Sequence, residues 1–184
     1  MGTILDSQGV NQNERMCSSR SDTINTDRYL EGGCICAATR YRMLAPPLVV
    51  HCCHCTWCQR EAGSAFVVNA LIEADRVELL SGSTEMILTP TASGAGQRIF
   101  RCTRCKIALW SRYALPKIGN RVNFLRVGTL DVPGSLPPDV HIFTSSRLPW
   151  LSLEGDVPVY TEYYKADEVW STNSLERRRA LTAD

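Results

Sequence analysis

Through the middle of the chain, short apolar or alternating runs recur, each closed by Gly, Pro or a small polar cluster. Residues 37–43, 48–51, 66–72, 76–80, 84–89, 98–101, 107–113, 122–128 and 140–144 read as strands on this pattern. Gly32-Gly33, Pro46-Pro47, Ser81-Gly82-Ser83, Asp131-Val132-Pro133-Gly134 and Pro137-Pro138 are the breaks between them, and 59–64 reads as a polar turn ending in Gly63. Residues 91–96 are small and polar and read as a surface loop. A helical run is expected only late, over 167–180, where Arg177, Arg178 and Arg179 suit the negative end of the helix dipole and form a solvated end. Residues 1–28 have no sustained apolar period and are expected to be a flexible extension. The expected organisation is therefore an extension over 1–28, a β domain over 29–165 and a helical tail over 166–184. The fold class is all-β with a short C-terminal helix.

The chemistry is concentrated in cysteine. From His51 to Cys58 the chain packs four cysteines and two histidines into eight positions. Clustered thiolates repel one another unless a cation sits between them, and zinc is the default ion for a thiolate-rich site. The core of this cluster is Cys53-x-Cys55-x-x-Cys58, three sulfurs where a closed structural zinc wants four. Three ligands leave one tetrahedral corner for water or substrate, the arrangement of catalytic zinc.

A second group is split along the chain. Cys34 and Cys36 stand two apart, a spacing that puts both sulfurs on one face of an extended segment. Cys102-x-x-Cys105 has the form of a zinc-knuckle half-site between β-prone runs. Cys34, Cys36, Cys102 and Cys105 together complete a four-sulfur site.

Composition narrows the class. Lys plus Arg is 20 and Asp plus Glu is 19, so bulk charge gives no reason to expect nucleic acid or an anionic membrane as partner. No segment reaches the ~20 consecutive apolar residues of a membrane helix. Nine cysteines, an odd number, with no secretory apolar region before them, fit a reducing compartment and metal rather than disulfides. A cytoplasmic protein is expected.

The pieces Gly33-Cys34-x-Cys36 with Arg40-Tyr41, then Cys53-His54-Cys55-x-x-Cys58-Gln59-Arg60 with Gly63, then Phe100-x-Cys102-x-x-Cys105 stand in a specific order. Gly128-Thr129-Leu130-Asp131 with Pro133, and His141-Ile142 with Pro149-Trp150, follow them. Over about residues 30 to 160 the chain so resembles the family of glutathione-dependent formaldehyde-activating enzymes, which also includes centromere protein V. The resemblance implies small antiparallel sheets folded over like a tent, an architecture shared with methionine sulfoxide reductase B. It implies two zinc ions per chain: a structural one on Cys34, Cys36, Cys102 and Cys105, and a second on Cys53, Cys55 and Cys58 at the active site. The implied reaction joins formaldehyde to glutathione, a carbon–sulfur lyase activity. Four positions depart from the family pattern: Ala37 and Lys106 stand where glycine is usual, Val132 replaces a common aspartate, and Cys52 is extra.

Alternatives stay open at several residues. The three-sulfur group could be closed as a structural site by Cys52 or His54. Neighbours in an extended segment face opposite ways, so Cys52 is expected in the core, and His54 meets the same objection. His141 reads as structural, Trp57 and Trp150 as core or pocket residues, Arg60 as a surface ion pair or a carboxylate clamp, and Cys17 as a free thiol. The competing function is a zinc-stabilised protein- or chromatin-binding module without catalysis. A thiol-redox enzyme would have to use Cys17 or Cys52. The oligomeric state is not readable.

Overall fold

A computed structural model describes residues 29–91, 94–113 and 118–183. The expected extension, with Cys17, lies outside them. The described residues form ten strands in two sheets and three α-helices, with five short 3-10 turns. The strands are β1 (Leu30–Gly33), β2 (Arg40–Met43), β3 (Val49–Cys53), β4 (Val67–Glu73) and β5 (Val77–Ser81), then β6 (Thr84–Thr89), β7 (Gln97–Cys102), β8 (Ala108–Tyr113), β9 (Val122–Arg126) and β10 (Val140–Ile142). A three-stranded sheet runs β1-β2-β5, and a seven-stranded sheet runs β10-β3-β4-β9-β8-β7-β6. All pairings are antiparallel except β10 with β3.

The chain changes sheets at Gly82, between β5 and β6. Its φ is +73°, and a Cβ there would lie 2.0 Å from the carbonyl oxygen of Ala38, so the close crossing needs glycine.

Every residue of β3 is buried, because the sheet is covered on both faces. Alternation still sorts its side chains. Val50 joins Tyr41, Met43, Ala70, Ile72, Leu125 and Leu130 in a core between the sheets. Val49 and Cys53 join Leu71, Val122, Val140, Ile142 and Tyr164 in a second core on the other face. Full burial of one such aliphatic side chain contributes about 1.5–3 kcal/mol.

Two expectations for local structure change. Residues 59–64 are not a polar turn: α1 (Thr56–Ala62) begins within the cysteine cluster. The Cys55 sulfur caps it, accepting the Cys58 N–H at 3.4 Å, and Gly63 ends it with φ 62°. The single late helix is two, α2 (Ala166–Val169) and α3 (Thr172–Thr182), because the Ser171 hydroxyl caps a new helix by accepting the Ser174 N–H at 3.1 Å.

The end of α3 is not simply solvated. The Arg177 guanidinium donates to buried Glu73 at 2.8 Å and to the Pro46 carbonyl at 3.0 Å, and Arg178 lies over the Trp170 ring. No helix among the described residues is long and apolar enough to cross a membrane.

Candidate metal centres and a nearby cavity

The four-sulfur group forms where the two sheets meet. Cys34 and Cys36 sit on the turn from β1 to β2, while Cys102 ends β7 and Cys105 sits on the turn to β8. The segment carrying Cys34 and Cys36 is a turn rather than extended, and the strand expected over 37–43 begins only at Arg40, because Ala37 takes φ 56° and closes the turn. All four sulfurs lie within 4.8 Å of one another; Cys34 and Cys36 are 3.4 Å apart, Cys36 and Cys102 3.8 Å. A tetrahedral zinc with bonds of about 2.3 Å spaces its sulfurs about 3.8 Å apart, so the group fits that ion.

Backbone N–H groups support the sulfurs: Thr39 donates to Cys34 at 3.3 Å and Arg104 to Cys102 at 3.4 Å. The Thr39 hydroxyl, with backbone donors behind it, holds the Cys102 thiol down to about 5.

Residues quoted in the family motif converge beside this group. Arg40 donates to Asp131 at 2.7 Å, and the Tyr41 and Thr129 hydroxyls are 2.7 Å apart. A Cβ on Gly32 would lie 2.4 Å from the Thr129 carbonyl oxygen, so β1 can only pass there as glycine.

The three-sulfur group, Cys53, Cys55 and Cys58, spans the end of β3 and the first turn of α1. Among the described residues, no fourth Cys, His or carboxylate joins it within 4.8 Å. Hydrogen bonds from Cys53 and then Cys58 hold the Cys55 thiol down to about 2. Cys55 in turn raises Cys53. At Cys58 a bond from Cys53 pulls down, but Cys55 and burial push harder, to about 12. Thiols this close oppose one another's ionisation. A dication is the partner this donor set accepts, with release of the remaining protons.

Cys52 and His54 point to the other face of the strand. Their Sγ and Nε2 atoms are 3.6 Å apart, and His54 Nε2 is 3.0 Å from Nδ1 of His141 on β10. Neither therefore closes the three-sulfur group. His51 belongs to neither cluster: it is buried and bonds the Tyr164 hydroxyl at 2.6 Å, which also accepts from Trp170. Gln59 ties α1 down by donating to the carbonyls of His54 and Ser146 at 2.7 and 2.9 Å. Trp57 and Trp150 are exposed, and Arg60 is a solvent-facing residue of α1.

A cavity of about 460 Å³ is lined by Cys105 of the four-sulfur group and by Glu61, Phe66, Val67 and Arg126, but by none of Cys53, Cys55 and Cys58. Arg126, on β9, is buried; it donates to Asn69 at 2.6 Å and to Glu61 at 2.9 Å, and its positive charge acts on Cys58. Glu61 also accepts from Arg101, which lines the cavity with Lys106. Three cations and one carboxylate thus face a space within the usual ligand-pocket range of roughly 300–1,000 Å³. Glu61, Arg101 and Arg126 were not singled out in the sequence. The one signal was a charged residue ending the apolar strand Val122–Arg126.

Two folded-over sheets with clustered cysteines define a small β protein built around thiols placed where they could hold metal ions. The chain belongs to the glutathione-dependent formaldehyde-activating enzyme family, whose sequence model matches residues 29–146. A protein of Halomonas elongata that carries the same name provisionally is 30% identical over 132 residues, covering 68% of this chain and 81% of its own. A crystal structure of a Rhodobacter sphaeroides protein is similar over 55% of this chain and 87% of its own, at 15% identity and a TM-score of 0.39.

Proposed function

We propose that the protein is a zinc-dependent enzyme that adds the thiol of glutathione to formaldehyde, a carbon–sulfur lyase in class. The observation that carries this reading is the incomplete ligand set of Cys53, Cys55 and Cys58. Family membership supplies the substrate pair. In the reaction the sulfur lone pair forms the carbon–sulfur bond, the carbonyl π bond breaks, and the thiol proton ends on the new hydroxyl oxygen. No electron is gained or lost.

Cys53, Cys55 and Cys58 would hold the zinc, whose charge keeps a coordinating thiol ionised near neutral pH. Arg126, fixed by Asn69 and Glu61, lines the cavity, and its positive charge acts on Cys58. Arg101 and Lys106 offer donors to the carboxylates of a glutathione-like thiol. Cys34, Cys36, Cys102 and Cys105 would hold a structural zinc. We place the protein in the cytoplasm, a reading supported by eight free cysteines among the described residues.

One observation favours the second reading, a protein-binding module. The edge strand β6 exposes Met86, Ile87 and Leu88 side by side. Proton exchange NMR of glutathione with labelled formaldehyde separates the two. Zinc-loaded protein should speed adduct exchange over buffer, and Cys58→Ser should abolish the gain. No acceleration by loaded protein overturns the enzymatic reading and leaves the binding module.

A further inference from the structure

Cys52, His54 and His141 form a cluster that neither thiolate group uses. We propose that it is a third cation site, taking a divalent ion of zinc type through one sulfur and two imidazole nitrogens. Parallel pairing of β10 with β3 sets His141 directly opposite Cys52. His54 follows two positions after Cys52, on the same face, and its backbone N–H donates to the Ile142 carbonyl at 3.0 Å. Two adjacent strands therefore deliver all three groups to one point, and the three ligand atoms lie within 4.8 Å of one another.

The way they meet points to a ligand set rather than a proton relay. In a cysteine–histidine relay the thiol faces one ring nitrogen and the orienting group faces the other. Here Cys52 Sγ and His141 Nδ1 both approach the same atom, His54 Nε2. His54 Nδ1 is buried and has no hydrogen-bond partner among the described residues, so none of them orients the ring from behind as a relay requires. Convergence of three donors is what a shared ion demands. A tetrahedral zinc with ordinary bond lengths spaces a sulfur and an imidazole nitrogen about 3.6 Å apart and two nitrogens about 3.3 Å apart. The observed separations are 3.6 Å and 3.0 Å.

The surroundings fit as well. Cys52 and His54 are buried, while His141 is partly exposed and offers the way in. Arg147 adds positive charge near His54, and Cys52, whose thiol burial pushes up to about 12, would give up its proton to the ion. The site does not depend on the proposed reaction, because its residues face away from Cys53 and Cys55.

The test counts metal in the full-length protein, expressed in zinc-supplemented medium. Wild type should hold one zinc per chain more than His141→Ala and one more than Cys52→Ala. His141 lies at the opening, so its variant is the one expected to keep the fold. Nitrogen NMR of histidine-labelled, zinc-saturated wild type needs no variant: it should show metal-bound Nε2 of His54 and Nδ1 of His141. Equal zinc in wild type and folded His141→Ala, or two unligated imidazoles in the saturated protein, overturns the proposal.

Discussion

Ala37 and Lys106 have φ of 56° and 65°, in the left-handed region where a Cβ costs roughly 1–2 kcal/mol. Each sits just past a cysteine pair and closes the turn that aims its sulfurs, so the strain serves the four-sulfur group. We predict that Ala37→Gly stabilises the protein by about 1 kcal/mol. For a chain of this size that is a rise of roughly 2–4 °C in Tm. A melt showing no gain would mean that the turn is held without strain. Lys106→Gly should gain less, because it gives up the Nζ contacts to Glu85 and Thr103. Cysteine identity and spacing were legible in the sequence, since sulfur chemistry is local. The left-handed turns were legible only as the two positions where the family pattern usually has glycine, since alanine and lysine themselves carry no mark of a positive φ. Arg126 was also hidden: its role depends on Glu61 and Asn69, which only the folded sheet brings to it.

Strands were legible as elements because β-branched and alternating runs are bounded by Gly and Pro. α1 was missed because it is one short helix whose cap is a cysteine rather than Ser, Thr, Asp or Asn. β1 was missed because Leu30–Gly33 contains two glycines, and its pairing with β2 rather than its propensity makes it a strand. The tail was legible as helix but not as a docked one, since Glu73 is remote in sequence from Arg177. Glu73 is buried, and although burial raises its carboxyl, the Arg177 guanidinium lowers it further, so its pKa lies below the ordinary 4.5. A group depressed in the folded state stabilises above its unfolded pKa, and that stability is lost as pH falls through the folded value. We predict that Arg177→Ala loses stability at neutral pH. Its stability should also fall less steeply than wild type on acidification below about 4.5. Denaturant melts at pH 7 and at successively lower pH check this, and parallel curves would show that the pair is not linked to folding.

At the scale of the molecule, the four-sulfur group joins the two sheets. Cys34 and Cys36 come from the three-stranded sheet, and Cys102 and Cys105 from the seven-stranded one. An ion there is tied to global folding. We predict that Cys105→Ser gives little soluble protein or a much lower Tm. Cys55→Ser keeps an N-cap oxygen for α1, so helix capping survives and the loss of a ligand is isolated. That variant should stay folded, retain the zinc of the four-sulfur group and lose catalysed adduct exchange. If both variants unfold alike, the three-sulfur group is structural. The all-β class was legible from strand spacing. The assignment of strands to two sheets was not, because β5 and β6 adjoin in sequence yet belong to different sheets through one crossing at Gly82.

The alternation of β3 has a consequence for how the protein is assembled. Cys52 and Cys53 are neighbours that serve opposite faces, and in the unfolded chain nothing distinguishes them. An ion arriving early meets Cys52, Cys53, Cys55 and Cys58 together and can seize a wrong trio. Pairing of β3 with β4 and β10 is then what sorts the thiols, and a mis-seated ion must let go before sorting can finish. On the proposed metal sites, maturation would then be an error-correcting process that needs reversible loading. We predict that refolding with zinc supplied from a weak chelating buffer recovers more native protein than refolding with the same total zinc added free. Equal yields would show that the strand sorts its thiols before the metal arrives.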